Sequence, residues 1–246
     1  MDWLPVTPGI LAVGLGVMAV AATLQATIGF GFAVLSVPVL LFIDPRLAPV
    51  PQLLCAVPLT LSMVWREREA LDLKGIWWVI GGRVVGALIG LQLLLMASKR
   101  SLDMVIALIV LVAVGILAMA RHIPRNRYTE MAAGTASGVS SLVSSIGGPP
   151  LALLYRDAGG GTLRSSLAAI FAIGLGITIT TRTLAGEINV DDLILAACFF
   201  PAVAFGVWSS RFFLGRVEGA PLKRAILVVA SLAAVGLLLR ATTGQG

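Results

Sequence analysis

The sequence predicts an all-α polytopic membrane protein built from two inverted-topology repeats of about five hydrophobic segments each. Three observations predict this fold. The chain has 246 residues, of which 58% are hydrophobic and 12% are charged, long apolar tracts recur along it, and glycine-rich breaks interrupt the tracts at corresponding places. Ordinary globular domains are roughly 45–50% apolar and about 25% charged. The composition therefore argues against a soluble fold.

Ten apolar tracts follow one another along the chain. A membrane span needs about 20 residues at ~1.5 Å each, and eight of the tracts are long enough. The second and seventh are about half that length and each follows a glycine break, so we expect half-helices or returning arms of hairpins that protein shelters from lipid. The tracts lie at residues 8–28, 33–43, 47–65, 75–97, 102–120, 129–146, 150–158, 163–185, 192–209 and 221–240.

The main break in an apolar tract lies at Gly147 to Pro150. Two adjacent glycines free the backbone, while Pro149 and Pro150 have a fixed φ and no amide hydrogen, which suits the first turn of a new helix starting at Leu151. A weaker copy of this break occurs at Gly29 to Gly31. We therefore expect a broken helix at each place.

The two halves of the chain align with each other. Gly29 falls on Gly147 at an offset of 118 residues, and Gly86 falls on Gly206 at an offset of 120. Each half then holds five segments, and an odd number makes the second half enter the membrane from the opposite side. The predicted organisation is a first half at residues 1–120, a cytoplasmic linker at 121–128 and a second half at 129–246.

Basic residues are distributed unequally between the two predicted sides of the membrane. Of the 18 lysines and arginines, 12 fall on one side and 5 on the other, with Arg83 inside a span. By the positive-inside rule the richer side is cytoplasmic, so both termini should lie outside the cell membrane. This asymmetry accounts for the net charge of +6 without nucleic acid. The expected partners are the lipid bilayer and a small anion, and the sequence allows a homo-oligomer.

The breaks predict a site for an anion. A half-helix that starts near the bilayer midplane turns its amide hydrogens and positive dipole end into the protein, worth ~0.5–2 kcal/mol per anion contact. Glycines there allow close backbone approach, although they also serve tight helix packing. Nearby hydroxyls and amides are further donors, unless they bond to their own helix. The predicted substrate-binding residues are Gln25, Thr27, Gly29, Gly31, Arg83, Ser141, Ser144, Ser145, Gly147 and Gly148.

Arg83 is the only charge deep inside a predicted span, and burying it costs at least ~2.5–3.5 kcal/mol. All 12 acidic residues fall at or beyond span ends, so its partner should be a bound anion, helix carbonyls or, by snorkelling, the cytoplasmic interface. Its counterpart in the second half is near Val203. Gln52 and Gln92 are further intramembrane polar groups that could line a pathway. Arg182 could guide anions, but it is expected to be an interfacial anchor with Glu187.

The two breaks resemble the sulfite exporter TauE/SafE family. The resemblance rests on Gly29-Phe30-Gly31 followed by Val37-Pro38, and on Ile146-Gly147-Gly148-Pro149-Pro150. It spans about Ala12 to Leu239, although Phe30 and Phe32 stand where that family often has glycine. The resemblance implies a bacterial-type transporter in the cytoplasmic membrane for small sulfur-containing anions such as sulfite, sulfonates or sulfoacetate.

The sequence therefore favours a secondary anion transporter that works by alternating access. An anion channel and a transporter of non-sulfur carboxylate anions are the alternatives. No ATP-binding motif is present. A serine hydrolase would need a basic partner in the membrane, yet the only histidine, His122, lies in the basic linker. We expect no enzymatic activity, no cofactor and no metal.

Overall fold

The computed structural model describes residues 4–118, 123–158, 160–214, 228–236 and 238–239. Regular secondary structure within these ranges is entirely helical, as predicted. The helices are α1 (Pro8–Ile28), α2 (Phe32–Ile43), α3 (Val50–Arg66), α4 (Ile76–Met96), α5 (Lys99–Ala118), α6 (Arg127–Ser144), α7 (Gly148–Leu154), α8 (Gly160–Leu184) and α9 (Val190–Ser210). The tract predicted at 221–240 is described only as helix at 228–236 and 238–239, and its other residues and His122 lie outside the described ranges.

Five helical segments of the described chain are long and apolar enough to cross a membrane. They are α1, Pro45–Arg66, which joins a 3₁₀ turn to α3, and the helices α4, α8 and α9. Helix α6 was predicted as a full-length span. It is not one of these five segments, because it is rich in serine, threonine and glycine. Its small polar residues pack against α4 instead.

Both short helices turn back beside the helix that precedes them. Arg46, just after α2, donates a hydrogen bond to the carbonyl of Pro5, just before α1. Arg125, just before α6, donates to the hydroxyl of Tyr155, just after α7, at 3.3 Å. Each break is therefore the tip of a hairpin, α1–α2 or α6–α7. Of the two alternatives predicted for the short segments, half-helices or returning arms of hairpins, the structure shows returning arms.

The two halves run in opposite directions. At its end, α3 meets the end of α1, because the guanidinium of Arg66 donates to the carbonyl of Ala26. At its start, α3 meets the end of α6, because the Ser145 hydroxyl donates to the Pro49 carbonyl at 3.2 Å. Helices α1 and α6 thus end at opposite ends of α3. The predicted inverted topology is present in the packing.

The packing of the helices against one another also follows the symmetry of the repeat. Helix α4 packs along α6 and α1 packs along α9, while α3 packs on α8. A Cβ placed on Gly86 would lie 2.9 Å from the Val139 amide nitrogen, and one on Gly206 would lie 3.0 Å from the Thr23 amide nitrogen. Helix α1 of the first half corresponds to α6 of the second half, so the predicted match of Gly86 with Gly206 is confirmed.

The offset between the two breaks differs from the prediction. Arg66 donates to the Ala26 carbonyl, and Arg182 donates to the Leu142 carbonyl. The donor and the acceptor of the second bond each lie 116 residues after those of the first, rather than 118. Ser145 therefore takes the place of Gly29, and Gly147 takes the place of Gly31. The boundary proposed at 121–128 lies partly outside the described residues and stays a prediction.

Glycines bring α4 and α6 into backbone contact. A Cβ on Gly82 would lie 2.2 Å from the Met131 carbonyl oxygen, and a Cβ on Gly134 would lie 2.2 Å from the Val79 carbonyl oxygen. Small residues permit this close approach in membrane helices. The seam fixes Arg83 of α4 against α6 of the other half.

Candidate functional site

A small cavity lies between the two hairpins. The breaks approach each other there, since a Cβ on Gly148 would be 3.8 Å from the Cβ of Phe30. The cavity has a volume of about 50 Å³, and one buried water needs roughly 10–15 Å³ on the same scale. It has room for a solute of a few heavy atoms. Seven of the ten predicted site residues line it, namely Gln25, Gly31, Arg83, Ser141, Ser145, Gly147 and Gly148.

The first break forms a turn that only glycine adopts easily. Gly29 has a φ of +103° and Gly31 a φ of +114°, in the region that L side chains rarely enter. The Gln25 side-chain oxygen accepts a hydrogen bond from the Phe32 amide at 3.1 Å and so closes the turn. The next two residues, Ala33 and Val34, line the cavity wall, and their amides have no acceptor within α2, because the start of a helix leaves them free.

The second break also forms a hairpin turn, with different residues and partly different backbone angles. Ser145 has a φ of +61°, and the Ser137 hydroxyl donates to the Gly147 carbonyl at 2.6 Å. Helix α7 starts at Gly148 rather than at Leu151, with both prolines in its first turn. It has seven residues against twelve in α2. The predicted pair of half-helix dipoles is therefore unequal, and the second break contributes backbone shape more than dipole.

Arg83 reaches the cavity from α4. Its side chain is buried, and its guanidinium donates to the Ser137 hydroxyl at 2.8 Å and to the Ser141 hydroxyl at 3.4 Å. It lies flat against α8, where a Cβ on Gly174 would be 2.1 Å from Cζ. Snorkelling is thus excluded. No carboxylate of the described residues forms an ion pair with it.

Three predicted residues do not line the cavity. The Thr27 hydroxyl donates to the Thr23 carbonyl at 2.7 Å, and the Ser144 hydroxyl donates to the Ser140 carbonyl at 2.7 Å. Both follow the alternative of bonding within their own helix. Gly29 packs on Arg164, where a Cβ would lie 3.0 Å from Cγ. Its place in the turn is structural, and it faces away from the cavity wall.

Gln52 is the main residue of the cavity that the predicted set omits. It lies in the first turn of α3, is 1% exposed and lines the cavity. Its isolated position in an apolar tract was a signal, but Gln92 carries the same signal and lies exposed on α4. Phe171 and Leu175 complete the wall from α8. Apolar residues of this kind leave no distinguishing pattern in a sequence.

Arg182 is buried against the end of α6. It is 2% exposed, and its guanidinium donates to the carbonyls of Leu142, at 2.9 Å from Nε, and Val143, at 3.1 Å from Nη2. These carbonyls end α6, where a positive charge complements the helix dipole. Glu187, the predicted partner, interacts electrostatically with Arg182, but the hydrogen bonds of the guanidinium go to these carbonyls. Arg66 caps the end of α1 in the same way.

Metal-binding side chains do not gather in the part of the chain that the structure describes. No three histidine, cysteine, aspartate or glutamate side chains come together there as ligands. The polar side chains of the residues that line the cavity instead carry one guanidinium, two carboxamides and hydroxyls. This set can bind the oxygen atoms of an anion.

The model of one protein family, described as sulfite exporter TauE/SafE, matches residues 14–237. The chain belongs to the sulfite exporter TauE/SafE family. The match includes both breaks, Arg83 and the whole cavity wall, and it confirms the family predicted from the two glycine motifs. TauE/SafE proteins are membrane transporters, so this is a multi-pass membrane protein of a transporter family. Searches of the curated proteins and of the solved structures find no match to the chain.

Proposed function

We propose that this TauE/SafE protein is a secondary transporter that moves small sulfur-containing anions across the cell membrane by alternating access, with both termini outside. The observation that carries the proposal is the buried guanidinium of Arg83 in the central cavity. A buried charge costs several kcal/mol unless an opposite charge compensates it. Since no described carboxylate does so, an anion from solution is the partner that this site favours.

The chemistry of the cavity suits a small oxyanion. A guanidinium is planar and presents its N–H groups to oxygen atoms in pairs. Ser141 and the first residues of α2 line the same wall, and the first amides of a helix have no partner within it. The available space of about 50 Å³ accommodates the head of a sulfite or sulfonate. A sulfoacetate-sized solute would require the wall to open.

The arrangement of the halves supports alternating access. Transporters with inverted repeats hold their substrate between the repeats and expose it to either side by moving one helix bundle against the other. Here both hairpins contribute to the cavity, as do the antiparallel helices α3 and α8. A movement that exchanges the roles of the two hairpins would change the side from which the cavity is reached.

Flux into proteoliposomes tests the proposal. The purified protein should transport radiolabelled sulfite or a sulfonate, with saturation, in preference to acetate and lactate. Arg83→Gln should lower flux by about tenfold to a hundredfold, the equivalent of losing one hydrogen-bonded charge. The matched control is Arg127→Gln, which removes an exposed arginine that lies over Tyr128 and should leave flux unchanged.

The same measurements separate the alternatives. Normal flux in a folded Arg83→Gln protein would contradict the proposed site. A preference for carboxylates would indicate a transporter of non-sulfur anions, and unsaturable flux with steady current would indicate a channel. The proposed orientation is tested by an epitope tag at either terminus, which an antibody should reach in intact cells after removal of any outer membrane.

A further inference from the structure

Gln52 contains an unsatisfied buried acceptor. Within the described residues, its side-chain oxygen is the one fully buried side-chain nitrogen or oxygen atom without a hydrogen-bond partner. The large majority of such atoms are bonded in folded proteins, and leaving one unpaired costs about 1–3 kcal/mol. A carboxamide oxygen accepts hydrogen bonds and donates none. Its missing partner must therefore supply a hydrogen.

The other glutamine of the cavity shows the contrast. The Gln25 oxygen is occupied by the Phe32 amide at 3.1 Å, and Thr60, also on the wall, donates to the Ala56 carbonyl at 2.8 Å. These groups hold the protein together. Gln52 lines the same cavity, and its buried oxygen is left without a hydrogen-bond partner in the described protein.

The charge of the wall limits the charge of the solute. Arg83 is the sole ionisable side chain among the described residues that line the cavity. One negative charge on the solute would neutralise it. A second negative charge would be buried without a partner, which costs several kcal/mol.

We infer that the cavity takes a monovalent oxyanion that still carries one hydrogen-bond donor. Arg83 binds the charged oxygens, and the Gln52 oxygen accepts a hydrogen bond from the remaining O–H or N–H group. Hydrogensulfite meets this description, whereas the sulfite dianion does not. The inference rests on the proposed transport function and specifies its substrate. It also means that a proton crosses with the anion, without a carboxylate in the cavity to carry it.

Three anions with equal numbers of heavy atoms test the inference by titration calorimetry on the purified protein in detergent. Sulfamate has one charge and N–H donors, methanesulfonate has one charge and no donor, and sulfate has two charges and no donor. We expect sulfamate to bind about tenfold more tightly than methanesulfonate, as one added hydrogen bond predicts. Sulfate should bind most weakly.

Variants assign the preference to Gln52. Gln52→Met keeps the length of the side chain and removes the acceptor, so sulfamate should fall to the affinity of methanesulfonate while methanesulfonate changes little. Gln92→Met is the matched control, because Gln92 is exposed on the same class of apolar helix, and it should keep the tenfold preference. If Gln52→Met does not fold, the ranking of the three anions by the unaltered protein still decides.

The failures of the two proposals differ. Equal binding of sulfamate and methanesulfonate, tightest binding of sulfate, or an undiminished preference in folded Gln52→Met would overturn the donor inference alone, provided that Arg83→Gln still weakens binding. Binding of none of the anions, including hydrogensulfite at mildly acidic pH, would overturn the inference together with the proposed function.

Discussion

Both hairpins turn back after a break, but the two turns differ in backbone conformation and in residues. In α1–α2 the turn uses Gly29 and Gly31 with positive φ, whereas in α6–α7 the corresponding residues are Ser145, at a φ of +61°, and Gly147, at −91°. The first turn is closed by the Gln25 side chain and the second by the Ser137 hydroxyl. The repeat thus keeps the hairpin, while the conformation of the turn and its chemistry differ between halves.

The charged residues show which features the two halves share and which they do not. Arg66 and Arg182 are equivalent and cap equivalent helix ends. Arg83 has no such partner, because its counterpart, Val203, is a buried apolar residue. Charges that hold the hairpins occur in both halves, and the charge that faces the cavity occurs in one. Three sets of variants test this comparison.

The largest effect is expected at the seam between α4 and α6. Gly82→Val would place a Cβ 2.2 Å from the Met131 carbonyl oxygen, so the helices must separate. We expect a loss of about 3 kcal/mol or more, at the upper end of overpacking effects, and little folded protein by size-exclusion chromatography in detergent. Gly81→Val is the control, since a Cβ there meets nothing within 4 Å.

The equivalent seam between α1 and α9 should tolerate more. A Cβ on Gly206 would lie 2.6 Å from both the Ala19 carbonyl oxygen and the Ala22 Cβ. Gly206→Val should therefore lower the thermal unfolding temperature by less than Gly82→Val does. A larger effect of Gly206→Val would show that the second seam is the tighter one.

An intermediate effect is expected from the capping arginines. Arg182→Met would leave the buried carbonyls of Leu142 and Val143 without their donor, at a cost of about 2–3 kcal/mol. Arg66→Met should cost only ~1 kcal/mol, because the Arg66 side chain is 26% exposed and water can replace it. Thermal unfolding of both variants in detergent checks this order. Equal losses would mean that burial does not distinguish the two caps.

Effects that do not exceed those of the capping arginines, and one that is near neutral, are expected at the turns themselves. Gly31→Ala should cost about 1–2 kcal/mol from backbone strain alone, since a Cβ there meets nothing within 4 Å. Ser145→Gly should be near neutral, because it relieves ~1 kcal/mol of strain and loses a hydrogen bond to the Pro49 carbonyl of similar value. Thermal unfolding measures both. A clear stabilisation by Ser145→Gly would mean that this hydrogen bond contributes nothing.

Features with a high energetic cost were predictable from the sequence. A charge inside an apolar tract and glycines beside prolines are expensive or disruptive wherever they occur, so Arg83 and both breaks could be located without coordinates. The match of Gly86 with Gly206 followed from aligning the two halves at an offset of 120 residues. The family could be identified because these costly residues form its motifs.

Features that depend on backbone partners could not be predicted. The capping role of Arg182 involves carbonyl groups, which every residue has, so the sequence marks no partner for it. The offset of 116 was missed because Ser145 takes a backbone conformation usually left to glycine. The role of Gln52 depends on which hydrogen bonds its neighbours have already made, and only the packed structure shows that Gln25 is occupied and Gln52 is free.

The closely packed helix seams hold the two halves of the chain together. Each of them joins one helix from the first half to one from the second, α4 to α6 and α1 to α9. Cutting the chain in the linker and producing the pieces separately would leave glycine-lined grooves open on both fragments. Co-produced fragments should instead reassociate, and complementation between an intact fragment and a mutated one offers a way to alter each side of the cavity independently.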